Sequence, residues 1–440
     1  MSRIVIAFKE AANVRCIVRE LSSFNIDVCE GNVLNAYKVT WVLAGTGILA
    51  AAVSGCAITP RLAVPEALAS EARVSGDLRG IRYWGDAPPT DYKGLVSEII
   101  RQRQTSGDRS FRRGGAPSFS FLILSGGGDA GAYGAGLLNG WTDRGTRPKF
   151  DVVTGVSTGA LIAPFAFLGS KYDGQLKKVY TAHKAVDYYT AQPLQGILGG
   201  PAFADNQPLF QLIVRYANKR LIDEVAREHN KGRRLFVQTT NLDAQRPVIW
   251  DMGAIANYRS PRARDLFRRV LLASAAIPLV FPPVKIKVMV GGKFYEEMHV
   301  DGGTVSQQAG LSAWTLNTID VAKRFKLQPR RTTYIVRNNI VGPEWENVDN
   351  SAVKIAARAA STTIKYQGNA DLYMDFLAAQ KRGIDFNATA IGRDFPVKYV
   401  GPFNQQYMTK LYQYGYQKAR HGRPWFKSPT KLLQAGISSN

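Results

Sequence analysis

Cysteine and histidine are scarce in this sequence, which has three cysteines and four histidines among 440 residues. The cysteines, Cys16, Cys29 and Cys56, show neither the spacing of metal ligands nor that of a disulfide pair. A zinc-type cluster of cysteine and histidine is therefore excluded, and no metal site is predicted. Any hydrolytic chemistry must also work with few histidines.

Acidic residues are few as well, because 34 aspartates and glutamates stand against 57 lysines and arginines, for a formal net charge of +23. Such a surface attracts polyanions such as nucleic acid, anionic phospholipid or lipopolysaccharide, or it serves solubility alone. No nucleic-acid-binding signature accompanies the charge, so nucleic acid is not predicted as a partner. The hydrophobic content of 45% is enough to bury a core and excludes a disordered chain.

An apolar run of 17 residues, 39–55, is near the lower limit for spanning a bilayer and follows Lys38, as in a signal peptide. It ends in Val53-Ser54-Gly55-Cys56, which resembles the bacterial lipobox, where small residues precede a cysteine that becomes lipidated. A plain signal peptide or an uncleaved anchor helix are the alternatives. Because Ala57 rather than aspartate follows Cys56, the resemblance implies an outer-membrane lipoprotein of the bacterial cell envelope.

The chain is predicted to divide into three parts. Residues 1–55 form an upstream extension plus a lipoprotein-type signal peptide, residues 56–117 a lipidated tether with an N-terminal addition, and residues 118–440 the main domain, with its motifs in 118–307. The segment 101–113 has five arginines and one aspartate and predicts a solvated linker, with attraction to lipid headgroups as the alternative.

Short apolar runs alternate with helical patterns beyond residue 118. Strands are predicted at 120–125, 151–154, 234–240, 286–290, 293–298 and 332–337. Helices are predicted at 132–142, 158–168, 262–276, 350–381 with a break near Gly368, and 405–420. Within these, 371–379 is expected to pack in the core, with a lid or membrane-facing helix as the alternative. The alternation predicts an α/β fold, a three-layer α/β/α domain with a mostly parallel central sheet.

The pentapeptide Gly155-Val156-Ser157-Thr158-Gly159 fits the pattern GxSxG between a predicted strand and an apolar helix. In that setting the flanking glycines relieve crowding at a sharp turn, and the serine side chain projects into a cleft. The helix that follows points the positive end of its dipole at the site, which favours developing negative charge. Ser157 is therefore the candidate nucleophile.

The glycine run after the first strand has two interpretations. Gly126-x-Gly128-x-x-Gly131 fits the dinucleotide fingerprint GxGxxG, and Asp151 lies 20 residues further on, but at the start of its strand rather than the end. Alternatively, the backbone N–H groups of Gly126, Gly127 and Gly128 form an oxyanion hole, in which one donor typically contributes roughly 3–4 kcal/mol to transition-state stabilisation.

A third glycine-flanked turn, Asp301-Gly302-Gly303, offers a carboxylate that neighbouring groups can approach closely. A carboxylate can deprotonate a serine only if it is partly desolvated and in direct hydrogen-bonding reach. Taken alone, the motif is only a turn. His299, two residues earlier, is expected to be a packed or hydrogen-bonded neighbour, with a role as a third catalytic residue as the alternative.

Together these turns resemble the patatin-like phospholipase family, whose members hydrolyse acyl esters with a Ser-Asp dyad. Further stretches that match the family's pattern are Thr239-Thr240-Asn241-Leu242-Asp243, Ala273-Ser274-Ala275-Ala276-Ile277-Pro278 continuing to Phe281-Pro282-Pro283, and His299-Val300-Asp301-Gly302-Gly303. The resemblance covers about residues 118–307. It implies that Ser157 is the nucleophile, that Asp301 is the base, and that Gly126, Gly127 and Gly128 form the oxyanion hole.

The resemblance implies a serine acyl hydrolase that cleaves carboxylic ester bonds of phospholipids, lysophospholipids or related esters, without a metal or organic cofactor. A membrane surface, met through the lipid anchor and the basic charge, is the expected partner. The family's glycine loop often has arginine or lysine before its last glycine, whereas here Asp129 and Ala130 precede Gly131, and a carboxylate there would oppose an anionic headgroup unless it points away. The alternatives are a catalytically silent lipid-binding protein on the same fold and, more remotely, a nucleotide-binding module.

Overall fold

The computed structural model describes residues 15–21, 24–30, 61–74, 78–87, 91–111, 116–193, 200–310, 326 and 329–437. The chain forms two compact units, Met1–Arg61 and Leu62–Asn440. In the first unit, strand β1 (Arg15–Leu21) pairs antiparallel with β2 (Phe24–Glu30). The predicted signal segment 39–55 and Cys56 lie outside the described residues. Within the described part, no helix is both long and apolar enough to cross a bilayer.

The second unit is built on a ten-stranded sheet. Its strands in chain order are β3 (Arg73–Val74), β4 (Arg82–Trp84), β5 (Ser118–Leu124), β6 (Val152–Val156), β9 (Arg234–Asn241), β10 (Arg246–Asp251), β11 (Val284–Val290), β12 (Lys293–Asp301), β13 (Arg330–Ile340) and β14 (Asp385–Ile391). Two short strands, β7 (Thr190–Ala191) and β8 (Ala204–Asp205), form a separate two-stranded antiparallel sheet.

The strand order is β14-β13-β5-β6-β9-β12-β11-β3, and β10 joins β9 to β4. Neighbouring strands from β14 to β9 run parallel, whereas β12, β11, β3, β10 and β4 add antiparallel pairs. The parallel centre fits the apolar run of β5 and the burial of every residue of β9, because a strand covered on both faces needs no alternation of buried and exposed residues.

Helices cover both faces of the sheet. They are α1 (Tyr92–Thr105), α2 (Gly131–Asp143), α3 (Thr158–Leu168), α4 (Asp173–Thr181), α5 (Gln207–Tyr216), α6 (Lys219–Asn230), α7 (Met252–Asn257), α8 (Pro261–Ser274), α9 (Ala352–Lys381), α10 (Gln405–Arg420) and α11 (Pro429–Ile437). Alternate residues of β13 point to opposite sides: Val336 joins the core with α2, α3 and α10, whereas Ile335 joins the core with α9 and α11. The predicted three-layer α/β/α arrangement is confirmed.

The expectation of a solvated linker at 101–113 is wrong for its first part, which belongs to helix α1. Asp91 caps that helix by accepting a hydrogen bond from the Gly94 N–H at 2.9 Å. Arg103 is buried and forms an ion pair with Asp151. An arginine-rich pattern could not indicate this pairing, because the partner lies 48 residues further along the chain.

The predicted break near Gly368 is also wrong, since α9 is continuous over 30 residues. A Cβ atom at Gly368 would lie 2.2 Å from Nη1 of Arg337, whose side chain is buried. The glycine therefore allows a close approach rather than ending the helix. For 371–379, core packing is right for Leu372 and wrong for Leu377, which is exposed.

Candidate active site

One strand brings the two predicted catalytic residues together. Val156, at the end of β6, lies opposite Gln238 of β9, and Asp301, at the end of β12, lies opposite the next residue, Thr239. Because β6 runs parallel to β9 and β12 runs antiparallel to it, the C-terminal ends of β6 and β12 reach neighbouring positions of β9. Ser157, which follows Val156 directly, is thereby placed beside Asp301.

Ser157 occupies a sharp turn between β6 and α3, with φ 55° and ψ −125°. This conformation is strained for a residue with a side chain and is found mainly at functional sites. A Cβ at Gly155 would lie 2.4 Å from the Gly159 carbonyl oxygen, and one at Gly159 would lie 2.3 Å from that of Leu124. Both glycines are therefore required for the turn, as the GxSxG pattern predicts, and the α3 N-terminus faces the site.

The end of helix α8 holds the backbone of both residues. The Ser157 N–H donates to Ser274 Oγ at 3.0 Å, and Ser274 Oγ in turn donates to the Gln238 carbonyl at 2.7 Å. Two residues later, the Ala276 carbonyl accepts a hydrogen bond from the Asp301 N–H at 2.9 Å. The sequence singles out 273–278 as a family pattern, and the structure gives this stretch a positioning role.

The Asp301 carboxyl group is buried. Its Oδ1 accepts a hydrogen bond from the Gly303 N–H at 2.7 Å, whereas Oδ2 has no partner of good geometry among the described residues. Burial raises the pKa of Asp301 to about 7, against the opposing effect of hydrogen bonds from the Ser157 hydroxyl and the Gly303 N–H. The Ser157 hydroxyl thus faces a carboxyl group poised to accept a proton near neutral pH, in a loose contact that is common before substrate binds.

The glycine loop supplies fewer free donors than the sequence indicates. The Gly126 N–H already donates to the Gln307 carbonyl at 2.9 Å, so Gly126 is not available for the predicted oxyanion hole. Among the backbone hydrogen bonds of the described residues, none uses the N–H of Gly127 or Gly128. A Cβ at Gly127 would lie 1.8 Å from the Asn338 carbonyl oxygen, and Gly128, at φ 58°, borders the same cavity as Ser157. The candidate donors therefore narrow to Gly127 and Gly128.

Asp129, the residue that departs from the family pattern, is engaged elsewhere. Its Oδ2 accepts a hydrogen bond from the Phe403 N–H at 2.9 Å, and the Tyr399 hydroxyl also bonds to this carboxylate. Burial raises the pKa of Asp129 in spite of these hydrogen bonds. The carboxylate therefore anchors the segment before α10.

His299 takes part in a buried network that supports β12. Its Nε2 hydrogen-bonds with Glu297 at 3.0 Å, and its Nδ1 hydrogen-bonds with Thr239 Oγ1 at 2.9 Å. Burial lowers the pKa of His299 although Glu297 opposes that shift, whereas the pKa of Glu297, which burial raises, is brought to about 2 by His299 and Arg82. Because both ring nitrogens are occupied away from Ser157, the expectation of a hydrogen-bonded neighbour is confirmed.

The residues proposed for a dinucleotide do not come together. Asp151 accepts a hydrogen bond from the Ser120 N–H at 2.7 Å and pairs with Arg103, at the amino end of β6. The glycine loop follows the opposite, carboxyl end of β5, so Asp151 is too far along the strands to bind a ribose there. In the described ranges, no three histidine, cysteine, aspartate or glutamate side chains are grouped as metal ligands.

A narrow apolar cavity opens beside Ser157. Its wall combines residues of α3, α4, α5 and α8 with the loops near Tyr188 and Phe403, whose rings stack at 4.6 Å. Apolar side chains make up most of the lining, among them Leu161, Phe165, Val179, Leu209, Leu212, Ile213, Leu221, Leu271, Ile277 and Phe281. Such a cavity suits a hydrocarbon chain and offers little to a polar ligand.

The comparisons with known proteins find a family model that matches the part of the chain holding this site. Residues 122–308 match the family model described as Patatin-like phospholipase. A solved structure, "Crystal structure of VipD from Legionella pneumophila", is similar with 12% sequence identity and a TM-score of 0.33, over 70% of this chain and 67% of that chain. No curated protein matches the chain. The segment with the glycine loop, Ser157 and Asp301 is thus similar to the patatin-like phospholipases, and this similarity suggests lipid acyl hydrolase activity.

Proposed function

We propose that this protein is a serine acyl hydrolase that cleaves carboxylic ester bonds of phospholipids, lysophospholipids or related acyl esters. The observation that carries the proposal is the placement of Ser157, on its strained turn, beside a buried Asp301 with a pKa of about 7. The apolar cavity next to Ser157 supports a fatty acyl chain as the group that is transferred.

The reaction begins when Asp301 accepts the proton of the Ser157 hydroxyl while Oγ attacks the ester carbonyl carbon. The carbonyl oxygen gains the negative charge, and the N–H groups of Gly127 and Gly128 stabilise it together with the α3 N-terminus. The tetrahedral intermediate then expels the alcohol, which takes the proton from Asp301. The products of this half-reaction are the free alcohol and an acyl-serine.

The second half-reaction repeats these steps with water. Asp301 removes a proton from a water molecule, which attacks the acyl-serine carbonyl, and the same donors hold the oxyanion. Ser157 leaves with the proton that Asp301 received, and the fatty acid is released. All proton transfers use the one carboxylate, so the chemistry requires no histidine.

The proposal includes a location at the bacterial cell envelope. Cleavage before Cys56 and lipidation of that cysteine would anchor the chain to the membrane, by its resemblance to a lipobox, and Ala57 favours the outer membrane. A formal net charge of +23 adds attraction to anionic lipid.

The test is to compare the hydrolysis of a short-chain and a long-chain acyl ester by the wild-type protein and by Ser157→Ala. Ser361→Ala is the matched control, because Ser361 is exposed on α9 and its hydroxyl donates to the Arg358 carbonyl of its own helix. We expect turnover by the wild type and by Ser361→Ala and none by Ser157→Ala. Equal silence of all three proteins at every chain length would contradict the proposal and favour a lipid-binding role.

A further inference from the structure

Apolar side chains are exposed on loops that also line the acyl cavity. We call the following set the apolar rim: Val186, Phe203, Leu279, Val280 and Val400. Val186 lies two residues before Tyr188, and Leu279 and Val280 lie between Ile277 and Phe281. Tyr188, Ile277 and Phe281 all line the cavity, so the rim continues its apolar wall onto the surface.

Backbone contacts join these loops. The Phe203 N–H donates to the Leu279 carbonyl at 2.9 Å, and the Ala204 N–H donates to the Val280 carbonyl at 3.0 Å. The Gln192 N–H donates to the Phe203 carbonyl at 2.7 Å, which connects this pair to the segment that includes Val186. The segment with Val400 is held through Phe403, which stacks on Tyr188, two residues from Val186. The rim is therefore a fixed surface rather than a set of independent loops.

The exposed position and backbone conformation of Leu279 are unfavourable for folding. It is 73% exposed and has φ 70°, a conformation that is strained for leucine. Its loop is closed by a hydrogen bond from the Phe281 N–H to the Ile277 carbonyl at 2.8 Å, so the position is defined. A strained backbone that exposes a large apolar side chain beside a cavity indicates a binding surface, since folding alone gains nothing from it.

Charged side chains of both signs flank the rim, within a chain whose overall charge is strongly positive. Lys184 and Lys398 are exposed and lie two residues from Val186 and Val400. Asp187 and Asp205 lie within two residues of Val186 and Phe203, and their carboxylates accept hydrogen bonds from the Lys184 N–H at 2.9 Å and the Gln207 N–H at 3.0 Å. The chain as a whole has a formal net charge of +23. Apolar side chains flanked by lysines are the pattern of surfaces that enter the headgroup region of anionic bilayers.

We propose that the apolar rim inserts into the surface of an anionic lipid bilayer and aligns the acyl cavity with the lipid chains. The docking is a property of the rim itself, whereas its purpose, the delivery of an acyl chain to Ser157, rests on the proposed hydrolase function. A bilayer fits better than a protein partner because the exposed groups continue directly into a cavity of hydrocarbon character.

The test uses the full chain with Ser157→Ala and with its three cysteines replaced by serine, so that lipid is not consumed and one new thiol can be labelled. Leu279→Cys carries an environment-sensitive nitrobenzoxadiazole label in one protein. Val353→Cys carries it in the control, because Val353 is 78% exposed on α9, outside the rim. The labelled proteins are mixed with vesicles of phosphatidylcholine and phosphatidylglycerol.

We expect the emission to rise severalfold and shift to shorter wavelength for the label at position 279 and to stay unchanged at position 353. Because the readout is local, membrane binding by any other part of the chain does not imitate it. No change at position 279, or an equal change at both positions, would overturn the proposal.

A second comparison separates the rim from the chemistry. With Ser157 intact, Leu279→Asn and Val400→Ser together are expected to lower hydrolysis of vesicle phospholipid about tenfold and to leave that of a soluble short-chain ester unchanged. Asparagine is chosen because it tolerates positive φ. The control pair, Leu62→Asn and Val353→Ser, is exposed outside both the rim and 371–379 and should change neither activity. If wild type hydrolyses neither substrate, the hydrolase function fails, and the fluorescence result still decides the docking.

Discussion

Ser274 Oγ accepts a hydrogen bond from the Ser157 backbone N–H at 3.0 Å and donates one to the Gln238 carbonyl at 2.7 Å. The strained turn of the nucleophile is thus tied to β9 through a buried side chain of another helix. Because β9 also pairs with Asp301 at the adjacent position, one hydrogen-bonded bridge fixes the relative placement of both groups.

Ser274→Ala should lower kcat about 10- to 100-fold with little change in KM, because small displacements of a nucleophile are costly to rate. The matched control is Ser260→Ala at the other end of the same helix, where Ser260 Oγ accepts the Ala263 N–H at 3.1 Å. Loss of that cap should cost about 1 kcal/mol of stability and leave kcat intact. Steady-state kinetics and thermal unfolding of both variants decide the matter, and equal kcat values for the two would contradict a positioning role.

The pH dependence of kcat/KM should follow Asp301. Burial raises the pKa of this carboxyl group to about 7, and only its ionised form can take the proton from Ser157. With a soluble ester, kcat/KM should therefore rise about tenfold per pH unit below pH 7 and level off above it. A profile that is flat from acidic to neutral pH would mean that another group acts as the base.

The same raised pKa predicts that the stability of the protein falls as the pH rises, whereas its activity increases. The folded protein holds the Asp301 proton up to about pH 7, whereas the unfolded chain releases it near the ordinary value of 3.8. Its contribution to stability is therefore full below the lower pKa and is lost as pH rises through the upper one. Asp301→Asn has no such proton. Its free energy of unfolding should therefore increase relative to that of the wild type as the pH rises from 3.8 to about 7. Urea unfolding of both proteins at several pH values tests this, and a constant difference would contradict it.

The local parts of the site could be predicted from sequence because each is a short turn with its own signature. The glycines at 155 and 159 are needed by the turn itself, and the glycine at 303 donates its N–H to the Asp301 carboxylate. The assembly could not be predicted, because the meeting of Ser157 with Asp301 depends on the register of β9 with two other strands. Nor could the hydrogen bond from the Gly126 N–H to the Gln307 carbonyl be predicted, because the two residues lie far apart in the chain.

The fold follows a similar division. The helix at 158–168 is predicted from its apolar composition and the helix at 405–420 from its helical pattern, and both agree with the structure. The linker prediction at 101–113 failed because Arg103 is buried in an ion pair with Asp151, a partner that is distant in the sequence. The break at Gly368 is predicted because glycine disfavours a helix. The sequence does not show that the buried guanidinium of Arg337 lies beside this glycine.

Cys56→Ser should abolish membrane anchoring if the lipobox resemblance holds. In a bacterial host supplied with a labelled fatty acid, the wild-type chain should take up the label and fractionate with the envelope, and Cys56→Ser should do neither. Cys29→Ser is the matched control and should behave as the wild type. Label retained by Cys56→Ser would place the modification elsewhere.

The length of the acyl cavity should set the preferred chain length. Ala217 lines this cavity between α5 and α6, and its carbonyl accepts a hydrogen bond from Arg268 at 3.0 Å, which fixes its place. Ala217→Phe would fill part of the space, so kcat/KM for a long-chain ester should fall about tenfold or more, as expected when a pocket loses room for several methylenes. A short-chain ester, which fills less of the cavity, should be hydrolysed as before. Ala182→Phe adds the same ring at an exposed position after α4 and should leave the ratio of the two substrates unchanged. Equal losses on both esters would instead show that the substitution disturbs the fold around Ser157.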